Sequence, residues 1–191
     1  MKKNISFFFG LHNQVISSMK IVLIGYMGSG KSVIGSGLAK VLSTSFYDLD
    51  AEIEKEESLS IASVFVEKGE IYFRKKERAT LLRLLVQNNQ SIIATGGGTP
   101  CYGNMMETIL SKPDVIVIYL KASLETLTQR LSDEKEKRPL IAHLKTEVGL
   151  NDFIRKHLFE RNFYYFQAER TINVDDKTVV EIVEEIVVDL F

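Results

Sequence analysis

Residues Gly25-Tyr26-Met27-Gly28-Ser29-Gly30-Lys31-Ser32 fit the pattern G-x-x-x-x-G-K-[ST] in full. They stand between a short apolar run, Ile21 to Ile24, and a stretch with helical apolar spacing at Ile34, Leu38, Val41 and Leu42. Glycines at these positions let backbone N–H groups turn inward and form an anion-binding nest. The helix that starts near Lys31 adds its positive end. Such a loop cradles the phosphates of a nucleotide. Lys31 is placed to reach the β and γ phosphates, and Ser32 to ligate Mg²⁺ through its hydroxyl.

The rest of the chain alternates strand and helix. Phe46-Tyr47 reads as a second strand that runs into Asp48-Leu49-Asp50, with a helix over 51–56. Ser60 reads as the N-cap of the next helix, which Gly69 breaks and which then continues to about Gln87. Residues 91–95, 115–120 and 171–174 read as strands three, four and five, and 123–131, 147–168 and 179–188 as helices. The class is therefore α/β: a five-stranded parallel sheet flanked by helices in three layers. In such sheets ligands bind at the carboxyl ends of the strands. The polar and Gly-rich segments follow strands one, two and three, where that rule places them.

The 191 residues suit one domain burying roughly 70% of its unfolded surface. Apolar residues make up 45% and charged residues 26%, and no run of about 18 apolar residues exists, so a membrane-embedded chain is excluded. With 24 basic against 25 acidic residues, bulk charge gives no support to nucleic-acid binding. The single cysteine, Cys101, excludes an intrachain disulfide and a multi-cysteine metal site, and fits a reducing, cytoplasmic setting. Residues 1–18 read as an N-terminal extension: Lys2 and Lys3 precede an apolar patch, but no A-x-A-like cleavage site follows. Met19 then stands as an alternative start of translation.

Four further groups carry chemistry. Asp48 and Asp50 lie just past strand two and point the same way if the chain is still extended there. One can hold Mg²⁺ through water and the other accept a proton from an attacking hydroxyl; an N-cap on the following helix is the alternative. Gly96-Gly97-Gly98 permits close backbone approach to a ligand, or forms a flexible turn. Arg74 and Arg161, each alone, read as solvated charges. Arg138 follows a charged stretch, Ser132 to Lys137, that reads either as a mobile flap able to bring an arginine onto phosphates or as an ordinary solvated loop.

Taken in order, these motifs resemble the shikimate kinase family over essentially all of residues 19–191. The loop with Val33-Ile34-Gly35 is similar to the family's opening. Asp48-Leu49-Asp50 resembles its D-x-D; Ile61 to Phe65, Gly69-Glu70, Phe73-Arg74 and Glu77 resemble its I-x-x-x-F…G-E-x-x-F-R-x-x-E block; Arg138-Pro139-Leu140 resembles its R-P-L. The resemblance implies a P-loop kinase fold with a mobile lid at about 132–146, in a single domain spanning 19–191. It implies ATP contacts from Gly28, Ser29, Gly30, Lys31, Ser32, Val33, Arg138 and Lys177, and Mg²⁺ held at Ser32 and Asp48. Shikimate contacts fall to Asp50, Arg74, Gly97 and Arg161, and catalysis to Lys31, Asp50 and Arg138. Where the family often has R-x-P-L-Y, this chain has Arg161-Asn162-Phe163-Tyr164-Tyr165, which keeps the Arg-to-Tyr spacing and loses the proline and leucine. The adenine-facing turn at Asp175-Asp176-Lys177 departs further, and residues 1–18 have no counterpart. The implied activity is ATP-dependent phosphorylation of shikimate by a monomer, without nucleic-acid or membrane partners. A gluconate or nucleoside-monophosphate kinase of the same fold, and a nucleotide-dependent switch, are the competing readings; the chain lacks the N-K-x-D motif of a guanine-nucleotide switch.

Overall fold

Five consecutive residues of β1 (Lys20–Ile24) are buried, so this strand needs a neighbour on each edge and a helix layer on each face. The computed structural model, which describes residues 19–87, 90–134 and 139–191, supplies both. The order of elements is β1, α1 (Lys31–Leu42), β2 (Ser45–Asp48), α2 (Leu49–Glu57), α3 (Ile61–Val86), β3 (Ser91–Ala94), a 3₁₀ turn (Thr99–Cys101) and α4 (Met105–Leu110). Then follow β4 (Val115–Lys121), α5 (Leu124–Ser132), α6 (Pro139–Ala142), α7 (Glu147–Tyr165), β5 (Arg170–Asn173) and α8 (Val179–Leu190). All strands are parallel, in the order β2-β3-β1-β4-β5. β1 lies between β3 and β4, so the chain leaves it toward one side of the sheet and later crosses to the other. That reversal opens a crevice at the carboxyl end of β1.

Register aligns the strand ends. Leu23 and Asp48 both pair with Ala94. The phosphate loop, the Asp48–Asp50 segment and the triple glycine therefore leave the sheet side by side. At the opposite end Lys20, its side chain 3% exposed, pairs with Asp114 at 2.6 Å. The core between sheet and helices is built from residues such as Leu23, Ile34, Leu38, Ile93, Val117, Leu127 and Ile186, all buried.

Side chains set the helix starts. Ser60, Ser123, Thr146 and Thr178 each accept a backbone N–H from three residues on, and Thr178 with Glu181 completes a capping box. The expected break at Gly69 is present: its φ of 80° and ψ of 168° interrupt α3. Three expectations shift. The helix expected over 147–168 ends at Tyr165, the last strand is Arg170–Asn173, and the second helix starts at Leu49 because Asp48 caps it. α4 has no counterpart in the sequence reading; six residues are too few to show periodicity. No described helix is long and apolar enough to cross a membrane. The expected extension 1–18 lies outside the described residues. So do residues 135–138 of the expected lid, and with them Arg138.

Candidate active site

A cleft of about 580 Å³ opens where β1, β2 and β3 end, with Gly28, Lys31, Ser32, Asp48, Asp50 and Gly97 on its walls. Its floor is the phosphate loop. Gly25, Gly28 and Gly30 have φ of 142°, 80° and 94°, a run that residues with a Cβ rarely adopt. Gly30 is also the N-cap of α1, so the positive end of that helix faces the cleft. Lys31 Nζ donates to the carbonyls of Gly25 and Tyr26 at 2.8 and 2.9 Å, folded back along its own loop. Val33 is exposed on the rim of the same cleft. Ser29 Oγ is buried and makes no hydrogen bond among the described residues.

The acidic pair is arranged differently from the extended geometry expected of it. Asp48 is the last residue of β2 and Asp50 already lies in the first turn of α2. Asp48 Oδ1 accepts the N–H groups of Asp50 and Ala51 at 3.1 and 3.4 Å, which turns the chain into the helix. Its other oxygen, Oδ2, accepts from Ser32 Oγ at 2.5 Å. Asp48 is thus both the cap and the neighbour of the phosphate-loop serine. The helix turn, and not an i, i+2 alternation, brings Asp50 to the cleft. Burial, then the nearby Asp48 and Glu77 carboxylates, push Asp50 up to about 6, with Lys31 opposing.

Beyond Asp50 lies a second polar group that the triple glycine makes possible. Thr99 donates to Glu77 Oε1 at 2.6 Å and Arg74 Nη1 to Glu77 Oε2 at 2.9 Å. The Arg74 guanidinium stacks on Tyr102, its Cζ 3.6 Å from the ring centroid. A Cβ on Gly98 would stand 3.2 Å from Arg74 Nη1, and one on Gly97 3.0 Å from the backbone N of Met27. Gly97 is therefore where the third strand's loop touches the phosphate loop. From the other side, α7 brings Arg161, its Cζ 5.4 Å over the ring of buried Tyr26, and Tyr165, whose hydroxyl donates to Gly97 O at 2.5 Å. Burial raises the Tyr165 phenol far above its ordinary value. Both arginines reach the triple glycine, Arg74 beside Gly98 and Arg161 over Tyr26, whose backbone Gly97 approaches. Burial pushes the Cys101 thiol up to about 11, opposed by Arg161 and then Arg74.

Of the expected site residues, Gly28, Gly30, Lys31, Ser32, Val33, Asp48, Asp50, Gly97 and Lys177 line this cleft; Ser29 is buried in the phosphate loop, Arg74 and Arg161 stand against Gly98 and Tyr26 behind the lining, and Arg138 lies outside the described residues. Lys177 is on its wall and pairs with Glu185 at 2.5 Å. The structure adds residues the sequence did not single out as site residues. Arg130 lines the cleft and donates to Gly28 O at 3.2 Å and Val174 O at 3.4 Å. Glu77 is 3% exposed, and in the sequence only its place in the F-R-x-x-E spacing marks it. Nothing in the local sequence marks Arg130, an i, i+3 companion of Leu127 on an amphipathic helix.

A sequence model of the shikimate kinase family matches residues 27–191. The shikimate kinase of Flavobacterium johnsoniae is 49% identical over 167 residues, covering 87% of this chain and 96% of that protein. Among solved structures, shikimate kinase from Bacteroides thetaiotaomicron is similar with a TM-score of 0.82 at 32% identity, over 90% of this chain and 98% of that one. The Acinetobacter baumannii enzyme, solved in complex with shikimate, has a TM-score of 0.82 at 30% identity, over 93% and 96%. A gluconokinase from Sinorhizobium meliloti, at 17% identity and a TM-score of 0.52, shares the fold alone. With its cleft, its two converging arginines and these relatives, the chain belongs to the shikimate kinase family.

Proposed function

We propose that this protein transfers the γ-phosphoryl group of ATP to the 3-hydroxyl of shikimate, giving shikimate 3-phosphate and ADP on the route to chorismate and the aromatic amino acids. The observation that carries the reading is that Arg74 and Arg161, from two different helices, both stand against the triple glycine and the phosphate loop it touches, Arg74 at Gly98 and Arg161 over Tyr26. Two guanidinium groups suit one carboxylate, because each presents a fork of N–H donors. Asp50, on the cleft wall, suits the hydroxyls as acceptor, and Gly97 brings the acceptor up against the backbone.

In the reaction the acceptor oxygen forms a bond to the γ phosphorus while the bond from that phosphorus to the bridging oxygen of ADP breaks. The hydroxyl proton passes to Asp50, whose raised affinity for protons matches a base working near neutral pH. Lys31 leaves its two carbonyl partners to meet the phosphates. Arg130, Lys177 and Val33 line the nucleotide end. Arg138, from a lid over about 132–146, would add charge on the phosphates; that role rests on the R-P-L resemblance. Ser32 Oγ and Asp48 Oδ2, two hard oxygen ligands in contact, fit Mg²⁺. When bound, the ion neutralises phosphate charge. We place the protein in the cytoplasm on its single cysteine and read it as a monomer with one kinase domain over 19–191, a reading that rests on the family resemblance.

The test is a coupled ADP-release assay with shikimate, gluconate, AMP and quinate as acceptors. ADP release is expected with shikimate far above the others, and Lys31→Met should nearly abolish it while leaving the thermal transition intact. Turnover that prefers gluconate or AMP, or that ignores the acceptor, would overturn the reading.

A further inference from the structure

The two acceptor-binding groups sit on different helices. Asp50 is in the first turn of α2, and Arg74 follows the break in α3. A Cβ on Gly69 would meet nothing within 4 Å, so packing does not demand glycine there; its φ of +80° does. The break divides α3 into residues 61–68 and 70–86, joined by one non-helical residue. Helical hydrogen bonding does not set the angle between the segments across such a residue, so other contacts must.

Glu57, the last residue of α2, reaches both segments. From the first, Lys68 donates to Glu57 Oε2 at 2.5 Å. From the second, Tyr72 donates to Oε2 at 3.0 Å and Lys76 stands 2.8 Å from Oε1. The Glu57 side chain is 5% exposed and Lys68 is 35% exposed, so the carboxylate lies beneath its donors. These donors, Lys68 first, then Lys76 and Tyr72, hold the Glu57 carboxyl at about 2, ionised at any working pH. The other bonds between these helices each reach one segment alone: Ile61 N–H donates to Glu54 Oε1 at 2.9 Å at the start of the first, and Lys76 to Glu56, Arg83 to Glu52 and Glu56, and Thr80 to Glu56 reach the second.

We propose that Glu57 is a positioning residue for the acceptor site: by bridging the Gly69 break it sets the angle of the segment that carries Arg74 relative to the helix that carries Asp50. The proposal rests on the reading of those two residues as acceptor-binding groups. Glu57 itself lies at the far end of α2 from Asp50 and has no place in the phosphate loop, so its effect should appear in one kinetic constant.

Steady-state kinetics with each substrate varied, together with thermal melts, test this on the full chain. Glu57→Gln should raise the shikimate KM about five- to tenfold, within the range by which residues away from a ligand alter its binding. Its kcat and ATP KM should stay within about twofold of wild type. Lys68→Met should shift the shikimate KM in the same direction, and the double variant should be no worse than Glu57→Gln alone, because the two share one bond. Arg83→Met, whose partners lie on one side of the break, should lower Tm and leave the shikimate KM unmoved. Tyr72→Phe removes one hydroxyl donor and leaves both lysine pairs, so it serves where Glu57→Gln does not fold; it should still raise the shikimate KM about twofold. An unchanged shikimate KM in Glu57→Gln, or in Tyr72→Phe, would overturn the proposal. So would an equal rise in Arg83→Met, which would mean general loosening. Absence of shikimate turnover in the wild type would fell the functional reading itself and is distinguishable from either result.

Discussion

A guanidinium presents two parallel N–H donors to a carboxylate, and an ammonium of the same charge cannot. Arg74 and Arg161 stand far apart in sequence, yet each already lies over a tyrosine ring, Arg74 stacked at 3.6 Å on Tyr102 and Arg161 5.4 Å over Tyr26. The ring of Tyr102 holds the Arg74 fork in place before a ligand arrives. Arg74→Lys and Arg161→Lys should each raise the shikimate KM by about tenfold and leave the ATP KM nearly unchanged, as expected when a charged bidentate contact becomes a point charge. A shikimate analogue with a carboxamide in place of the carboxylate should bind wild type poorly and lose much less on going to either variant. Groups in contact couple by about 0.5–3 kcal/mol in such a cycle. Additive losses would mean that the arginines do not touch the carboxylate, and would reopen the gluconate reading.

At the scale of elements, the site depends on how closely loops approach. The triple glycine after β3 is not there for flexibility, since none of Gly96, Gly97 and Gly98 has a positive φ. Each faces something different. Gly96 would put a Cβ against Glu77 and Asp50, Gly97 against the Met27 backbone, and Gly98 against Arg74 and Tyr102. A backbone nitrogen at 3.0 Å cannot yield as a side chain can. Gly97→Ala should therefore push the phosphate loop as well as the acceptor pocket and raise both KM values, by about tenfold each for a displacement under 1 Å. Gly98→Ala meets only side chains and should raise the shikimate KM alone. Separate titrations of ATP and shikimate check this; a Gly97→Ala variant with a wild-type ATP KM would show that the two loops are not in register as described. Asp48 makes a similar point. Its spacing from Asp50 is legible in the sequence, but its double role is not: the cap forms through Oδ1 only because the strand ends at Asp48, and Oδ2 is then left facing Ser32.

For the whole molecule, the loop after β1 and the long helix α7 are tied across the site by Tyr26 and His157, 3.1 Å apart. Burial, opposed by Arg161, pushes the Tyr26 phenol up to about 12. The phenol keeps its proton at neutral pH and can donate it to His157 Nδ1 in the tautomer that leaves that nitrogen free. Burial and then Arg161 hold the His157 imidazole below its ordinary value. A histidine with a lowered folded pKa contributes fully above the unfolded value of about 6.5 and loses that contribution as pH falls through the folded one. Wild type should therefore lose more Tm between pH 7 and pH 5 than His157→Gln, which keeps an acceptor and does not titrate. Parallel Tm profiles for the two proteins would remove His157 from the acid sensitivity.

What the sequence determined by itself was local. The phosphate loop, the strand and helix alternation, the Ser60 cap and the break at Gly69 follow from backbone chemistry within a few residues. Such features depend on spacing that the chain carries wherever it goes. Tertiary structure alone decided which distant groups meet. The order β2-β3-β1-β4-β5 sets the Asp48 loop and the triple glycine beside the phosphate loop. The return of α7 places Arg161 and Tyr165 against Tyr26 and Gly97. Arg130 and Glu57 gain their partners in the same way, as Glu77 gains Thr99, with no sign of it in their own neighbours in the chain; the Arg74 bond to Glu77 runs within one helix. A buried carboxylate is tolerated only where donors from other elements surround it, and no local pattern encodes donors that arrive from elsewhere in the fold.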